Sequence, residues 1–188
     1  MAEWTELPSD LPVPEDDGKA RHLPGLELPI VRLAATDGTL VDLSSLSGRI
    51  VVYCYPRTGD PNAPNPEGWD EIPGARGCTP QSCAFRDHFE QLMEVGAHHV
   101  FGLSTQTTDY QREAAARLNL PFALLSDHTL EFTEAVELPT FKVDGMVLLK
   151  RLTLIIEDGV IEHIFYPVFP PHQNAGDVVA FLQRHASR

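Results

Sequence analysis

The sequence predicts an α/β protein in which helices sandwich a mixed central sheet, with a β-hairpin at the start of the domain. Three observations lead to this fold class. Apolar runs of strand length recur along the chain, and "RIVVYCYP" (49–56) is apolar enough to be a central strand buried on both faces. Segments with apolar residues at helical spacing alternate with these runs, as in parallel β-α-β units. The turn signals "TDGT" and "EDG" each join two runs as an antiparallel hairpin.

The first half of the domain begins with two strands joined at "TDGT" within residues 26–48. The central strand 49–56 follows and ends at its final proline, because a residue without an N–H cannot continue the ladder. After a long loop, a helix is predicted with Thr79 as its N-cap, Pro80 at its first position and Gly96 as its stop.

The second half continues the alternation and closes with a hairpin and a helix. Strands are predicted at 98–105, at 121–126 and on both sides of "EDG" within 151–168, and helices at 108–120, 127–138 and 174–186. This order gives a mixed sheet whose edges are formed by antiparallel strands.

Two stretches differ in composition from the rest of the domain, which spans 26–188. Residues 1–25 are rich in proline and contain the acidic run "PEDDGK", so we expect an extended arm lying on or off the domain. Residues 57–77, "RTGDPNAPNPEGWDEIPGARG", form a long inserted loop. Loops of this length inside a compact domain are usually functional.

Composition and charge exclude several classes of function. The net charge of −13 over 188 residues argues against nucleic acids and anionic membranes as partners, since both need a basic surface. No apolar run approaches the ~20 residues of a membrane-spanning helix. The N-terminal sequence lacks the basic start and apolar core of a secretory signal, and the number of cysteines, three, is odd. We therefore expect a reducing compartment, the cytoplasm.

The three cysteines have different surroundings. Cys54 lies in the middle of the central strand, where a cysteine behaves as a small hydrophobic residue. Cys78 and Cys83 are five positions apart, whereas zinc sites use Cys and His pairs two or four residues apart. No second pair stands at ligand spacing, so we predict no metal site.

Cys78 is the predicted nucleophile. It precedes Thr79 and Pro80 at a loop-to-helix junction, so free amides and the positive helix end can face its sulfur and favour the thiolate. On a continuous helix the Cα atoms of Cys78 and Cys83 would be ~8.7 Å apart. A disulfide needs less than about 7 Å, so the pair can close only if the first helical turn unwinds. This indicates a redox pair and not a permanent cross-link.

The segment "GCTPQSCAFRDHFEQL" (77–92), set among the strands "VVYCYP", "VFGLST", "PFALLSD" and "RLTLIIEDGVIEHIF", resembles the peroxiredoxins. Its C-T-x-x-x-C-x-F-R-D pattern is similar to the bacterioferritin-comigratory-protein (Q-type), atypical two-cysteine branch. The resemblance covers residues 26–184. It implies a thioredoxin-like fold and thiol-dependent reduction of hydrogen peroxide or alkyl hydroperoxides. It also implies that Cys78 is the peroxidatic cysteine, which becomes a sulfenic acid, that Cys83 is the resolving cysteine, which forms an intramolecular disulfide, and that Arg151 is the active-site arginine.

The same resemblance implies the partners of the reaction. They are a peroxide substrate and a thioredoxin-like dithiol reductant. We expect no metal or organic cofactor, and we expect the protein to be a monomer or weak homodimer. The alternative is a thiol redox sensor or binding protein, which would use the same cysteine pair to switch a partner. In that case the N-terminal arm and the 57–77 loop would be the docking surface.

The sequence departs from the family pattern just before Cys78. The family carries threonine or serine three residues before the peroxidatic cysteine, and Ala75 stands there, after the long insertion. Pro56 matches the family's strand-end proline, and Thr58 is the candidate for the missing hydroxyl, so both are predicted to bind substrate. Because the ends of the insertion flank Cys78, we expect it to cover part of the site, with Trp69 packed on the domain.

Overall fold

A seven-stranded mixed sheet forms the centre of the protein, whose computed structural model describes residues 7–185. The strands are β1 (Arg32–Ala35), β2 (Leu40–Asp42), β3 (Arg49–Cys54), β4 (His99–Ser104), β5 (Leu124–Ser126), β6 (Thr140–Val143), β7 (Met146–Leu149), β8 (Leu152–Glu157) and β9 (Val160–Phe165). The helices are α1 (Cys78–Asp87), α2 (Phe89–Glu94), α3 (Thr108–Arg117), α4 (Glu131–Ala135) and α5 (Asn174–His185). Within residues 7–185, no helix is long and apolar enough to cross a membrane.

The strand order is β2-β1-β5-β4-β3-β8-β9. β4 runs parallel to both β3 and β5, while the other neighbouring pairs, including the β1–β2 hairpin, are antiparallel. The fold class predicted from the sequence, a mixed sheet with an N-terminal hairpin and helices on its faces, is confirmed.

Strand β3 contributes to hydrophobic cores on both faces of the sheet, because successive side chains of a strand point to opposite faces. Ile50, Val52 and Cys54 pack in one core, beneath the hairpin and α4. Val51 and Tyr53 pack in the other, beneath α1, α2 and α5. The second core holds the helix that carries Cys78 and Cys83 against the sheet.

The start of α1 differs from the prediction that Thr79 is the N-cap. The helix begins at Cys78, and its cap is Gly77, whose backbone has φ 111°. A Cβ atom at Gly77 would come within 2.7 Å of Pro171 Cγ, so both the backbone conformation and the close packing require glycine. Pro80 therefore lies within the first turn, where its missing N–H has no helical partner to lose. The helical segment also divides at His88, between α1 and α2.

A second, two-stranded sheet, β6–β7, was not part of the sequence prediction. Its turn is Asp144–Gly145, and both residues have positive φ. The hairpin packs against the predicted insertion, where Trp69 and Ala75 form a small core with Leu148. Trp69 of the insertion is thus packed on the domain, as the sequence predicts.

The part of the predicted arm from residue 7 onward lies on the domain. Ala20 and Leu23 are buried in the core beneath the hairpin. Asp17 accepts hydrogen bonds from Lys150 Nζ at 2.8 Å and from Tyr166 OH at 2.7 Å, and although burial raises the pKa of Asp17, these bonds hold it well below its usual range. Residues 1–6 of the arm lie outside the described residues.

Cys54 provides a test of this packing. Its side chain is fully buried, and burial strongly raises the pKa of its thiol. Cys54→Ser and Cys54→Ala remove nearly the same volume, but the serine places a hydroxyl in an apolar core. We expect the serine variant to be less stable than the alanine variant by about 1–3 kcal/mol in chemical denaturation. Equal stability of the two variants would show that the site accommodates a hydroxyl.

Candidate active site

Cys78 lies at the base of a small cavity at the N-terminus of α1. Its side chain is only 3% exposed. The cavity has a volume of about 30 Å³. Its walls are formed by Arg57, Gly59, Asn65, Trp69, Arg76, Gly77, Cys78, Thr79 and Pro80. By volume it holds about two water molecules, or one hydrogen peroxide.

Arg151, directly before β8, contacts the sulfur from inside the protein. Its side chain is 97% buried, since only 3% is exposed. Nη2 lies 3.3 Å from Cys78 Sγ, and it also donates to the carbonyl oxygens of Gly74, Ala75 and Arg76 at 3.1, 3.1 and 3.2 Å. One end of the guanidinium is therefore surrounded by the sulfur of Cys78 and by the backbone that leads into α1.

The other end of the guanidinium is held by a buried polar chain. Arg151 Nη1 donates to Gln81 Oε1, and Gln81 Nε2 donates to Asn174 Oδ1 at 3.0 Å. Thr153 Oγ1 donates to the same Asn174 oxygen at 2.6 Å. Helix α1, strand β8 and helix α5 thus meet in one network, which fixes the orientation of Arg151.

The charge of Arg151 has no carboxylate partner. Among the ion pairs of residues 7–185, none includes Arg151. Its Nε is buried and has no hydrogen-bond partner among the same residues. Burying an unpaired charge is costly, so the site favours a negative charge next to the guanidinium. Cys78 Sγ is the contacting atom that can become negative.

Cys83 lies one and a half turns further along α1. Both cysteines are free thiols and belong to the same continuous helix, so they cannot bond without a change in its first turn. Burial raises the pKa of the Cys83 thiol, an effect that the nearby Arg86 only partly offsets. Cys83 is therefore a protonated, shielded thiol in this conformation.

The two residues predicted to bind substrate lie at the start of the insertion. Pro56 is buried after the end of β3. Thr58 is fully buried, and its N–H and hydroxyl donate to Gln106 Oε1 at 3.0 and 3.4 Å. Among the hydrogen bonds of the described residues none joins Thr58 to Cys78, so its hydroxyl is occupied elsewhere in this conformation. Substrate binding by Pro56 and Thr58 stays a prediction.

Sequence reasoning did not identify the residues that support Arg151. Gln81 stands three positions after Cys78, and the helical period places the two on one side of α1. That spacing is a usable signal. Asn174 and Thr153 have no such signal, because they come from distant parts of the chain. In the described range, no three His, Cys, Asp or Glu side chains form a group that could hold a metal ion.

The comparison with known proteins identifies the family of the chain. The model of the Redoxin family matches residues 23–180. The chloroplastic peroxiredoxin Q of Oryza sativa subsp. japonica is 30% identical over 188 residues, which cover 97% of this chain and 79% of that protein. The chain belongs to the Q-type peroxiredoxins. The predicted family is therefore confirmed.

Bacterial relatives extend the similarity. A putative peroxiredoxin bcp of Coxiella burnetii is 30% identical over 146 residues, covering 75% of this chain and 86% of that protein. The crystal structure of peroxidoxin BcpB from Mycobacterium tuberculosis superposes with a TM-score of 0.70 at 25% identity, covering 89% of this chain and 99% of that one. The fold is thioredoxin-like, as predicted.

Membership in this family makes the protein an oxidoreductase with thiol peroxidase activity. Peroxiredoxins act on peroxides and are recycled by thioredoxin-like reductants. The family thus favours a peroxidase over a redox sensor that only switches a partner.

The insertion forms part of the cavity wall through Asn65 and Trp69, which leads to a prediction about substrate size. Replacing the mostly exposed residues 60–67 by a short Gly/Ser bridge keeps the buried Trp69 but opens one side of the cavity. We expect the ratio of kcat/KM for cumene hydroperoxide to that for hydrogen peroxide to rise at least about threefold, because size alone excludes the larger substrate. The control replaces the same residues by Gly and Ser at full length. An unchanged ratio in the shortened variant would show that the insertion is not a cover.

Proposed function

We propose that Cys78 is the peroxidatic cysteine and that Arg151 stabilises its thiolate and the transition state of peroxide reduction. The thiolate attacks one peroxide oxygen, the O–O bond breaks, and the electron pair of that bond leaves with the other oxygen. That oxygen takes a proton and departs as water or alcohol, while Cys78 becomes a sulfenic acid. Negative charge moves from the sulfur to the oxygen during this step. The guanidinium already faces the sulfur, so it stabilises this charge without having to move.

One observation carries this proposal. A 97% buried guanidinium, which has no carboxylate partner among residues 7–185, lies 3.3 Å from Cys78 Sγ. A structural role for Arg151 would be expected to include a carboxylate, since buried charges are normally paired. The surroundings of Arg151 consist instead of three carbonyls, an amide and a thiol, which suits an arginine whose counter-charge appears when Cys78 ionises.

We propose further that Cys83 resolves the sulfenic acid. Its sulfur displaces the hydroxyl of the Cys78 sulfenic acid, which leaves as water, and an intramolecular disulfide forms. A dithiol protein of the thioredoxin type then reduces this disulfide by exchange. The raised pKa of the buried Cys83 thiol keeps it unreactive until the first turn of α1 unwinds and exposes it.

The small volume of the cavity, about 30 Å³, supports hydrogen peroxide as the preferred substrate, because most of an aromatic hydroperoxide would extend beyond it. We also propose that the chain acts as a monomer or weak homodimer in the cytoplasm. The support for a reducing compartment is the odd number of cysteines, three.

Substitution of each cysteine separates the two steps. Cys78→Ser should abolish peroxide reduction, because a hydroxyl at this position stays protonated where the thiol ionises. Cys83→Ser should consume one equivalent of peroxide and then stop, since no disulfide can form for the dithiol reductant. Peroxide consumption with a thioredoxin system, together with mass spectrometry of the oxidised cysteine, measures both effects. Measurable turnover in Cys78→Ser would mean that the roles are assigned wrongly.

Unwinding of α1 predicts a local change on oxidation. Amide hydrogen exchange from Thr79 to Cys83 should accelerate in the disulfide form, while β3 and β4 keep their protection as an internal control. The reason is that a disulfide brings the two Cα atoms closer than a helix allows. Equal protection of the first turn in the two redox states would contradict local unfolding.

A further inference from the structure

Arg57 occupies a position that the family pattern does not assign to the chemistry. It follows the strand-end Pro56 and begins the insertion. Its side chain lines the cavity of Cys78 and also a larger cleft of about 430 Å³, whose walls include Gln106, His128 and Met146. Of the described residues, Arg57 alone lines both spaces. The side chain of Arg57 therefore lies next to both spaces.

Three contacts fix the position of the Arg57 guanidinium. Its Cζ lies 6.0 Å from the ring centre of Trp69 on one side and 5.9 Å from that of Tyr110 on the other. Nη2 donates to Tyr110 OH at 3.2 Å, and that hydroxyl donates to Thr58 O at 3.0 Å. Cation–π contacts and a hydrogen bond therefore hold the cation between the insertion and α3.

The charge of Arg57 is not neutralised by a carboxylate. Among the ion pairs of residues 7–185 none includes Arg57, whereas Arg76, in the same cavity wall, pairs with Asp70 at 2.9 Å. Arg57 thus keeps a free charge and free N–H donors beside the small cavity, in a chain whose net charge is −13.

Arg57 is one of several donors in the cavity wall, together with Asn65, Arg76 and Thr79, but the hydroxyl of the family pattern is missing. Ala75 carries no hydroxyl, and the hydroxyl of Thr58 bonds to Gln106. Arg151 already shares its Nη2 among three carbonyls and the sulfur. Because the cavity has a volume of only about 30 Å³, a peroxide in contact with Cys78 lies close to the wall formed by Arg57.

We propose that Arg57 is a second peroxide-binding residue, which donates to the departing oxygen and closes the Cys78 cavity against the neighbouring cleft. This inference rests on the proposed role of Cys78. The departing oxygen gains negative charge as the O–O bond breaks, and a fixed guanidinium stabilises that charge more than the charge of the neutral substrate. The aromatic clamp of Trp69 and Tyr110 keeps the cation in place without a carboxylate that would neutralise it.

The test compares Arg57→Gln, which keeps most of the bulk, with Arg57→Ala, which loses both charge and bulk. The rate constant for oxidation of Cys78 by hydrogen peroxide is measured in single turnovers, quenched at intervals and read by mass spectrometry. The rate constants are compared on the pH plateau, at pH values where they no longer change with pH, and the thiolate of Cys78 is followed by its ultraviolet absorbance. A difference in the ionisation of Cys78 between variants then does not affect the comparison. Arg112→Gln, an exposed substitution on α3, is the control.

We expect both Arg57 variants to lose about tenfold or more in the plateau rate with hydrogen peroxide, while Arg112→Gln stays at the wild-type rate. Only Arg57→Ala should raise the rate with cumene hydroperoxide relative to hydrogen peroxide, because it opens the cavity into the cleft. A plateau rate of Arg57→Gln within twofold of wild type overturns the binding role. If the ratio of the rate constants for the two peroxides is the same in both variants, the claim that Arg57 separates the cavity from the cleft is wrong. If wild-type Cys78 is not oxidised at all, the proposed function itself fails, so the two failures are distinguishable.

Discussion

The buried contact between Arg151 and Cys78 is the constraint on which the site depends. A cation removed from water needs compensation, and here it is provided by three backbone carbonyls, one amide oxygen and a sulfur. All five acceptors belong to the turn before α1 or to its first turns. If Cys78 ionises as we propose, the sulfur and the folded helix terminus stabilise each other through one guanidinium. Catalysis and local folding are then coupled.

This coupling has a consequence for the proposed reaction cycle. In that cycle the first turn of α1 is folded while Arg151 contacts Cys78, and the same turn opens before Cys83 reacts. Gln81 lies in that turn and connects Arg151 to Asn174, so opening the turn also breaks the polar chain to α5. The bonds that orient the arginine are thus the bonds that oppose disulfide formation, and their strength sets a compromise between attack on peroxide and resolution.

The framework was predictable from the sequence because burial leaves local patterns. The central strand, the cysteine helix and the order of the elements follow from apolar runs and helical spacing, and Cys78, Cys83 and Arg151 follow from a motif. The cap of α1 does not, because the close approach of Pro171 that excludes a Cβ at Gly77 arises only in the folded chain. The β6–β7 hairpin carries the apolar run Met146–Leu149 and a "DG" turn, but its two strands have only four residues each, so the signal is short. Asn174 has no local signal at all.

The N-terminal arm has a mechanical consequence. Its side chains lie over the turn that leads into α1: Leu7 approaches the Cα of Gly77, and Pro14 that of Gly74. Beyond them Asp17 is tied to Lys150, the neighbour of Arg151. A pulling force applied at the N-terminus would therefore load the reactive turn before it reached any strand of the sheet. Helix α5, near the other end of the chain, packs in the same core as α1 and is joined to it by the hydrogen bond between Gln81 and Asn174, so a force applied there also reaches the reactive turn. A fusion partner or surface attached at either end of this enzyme therefore acts on the site.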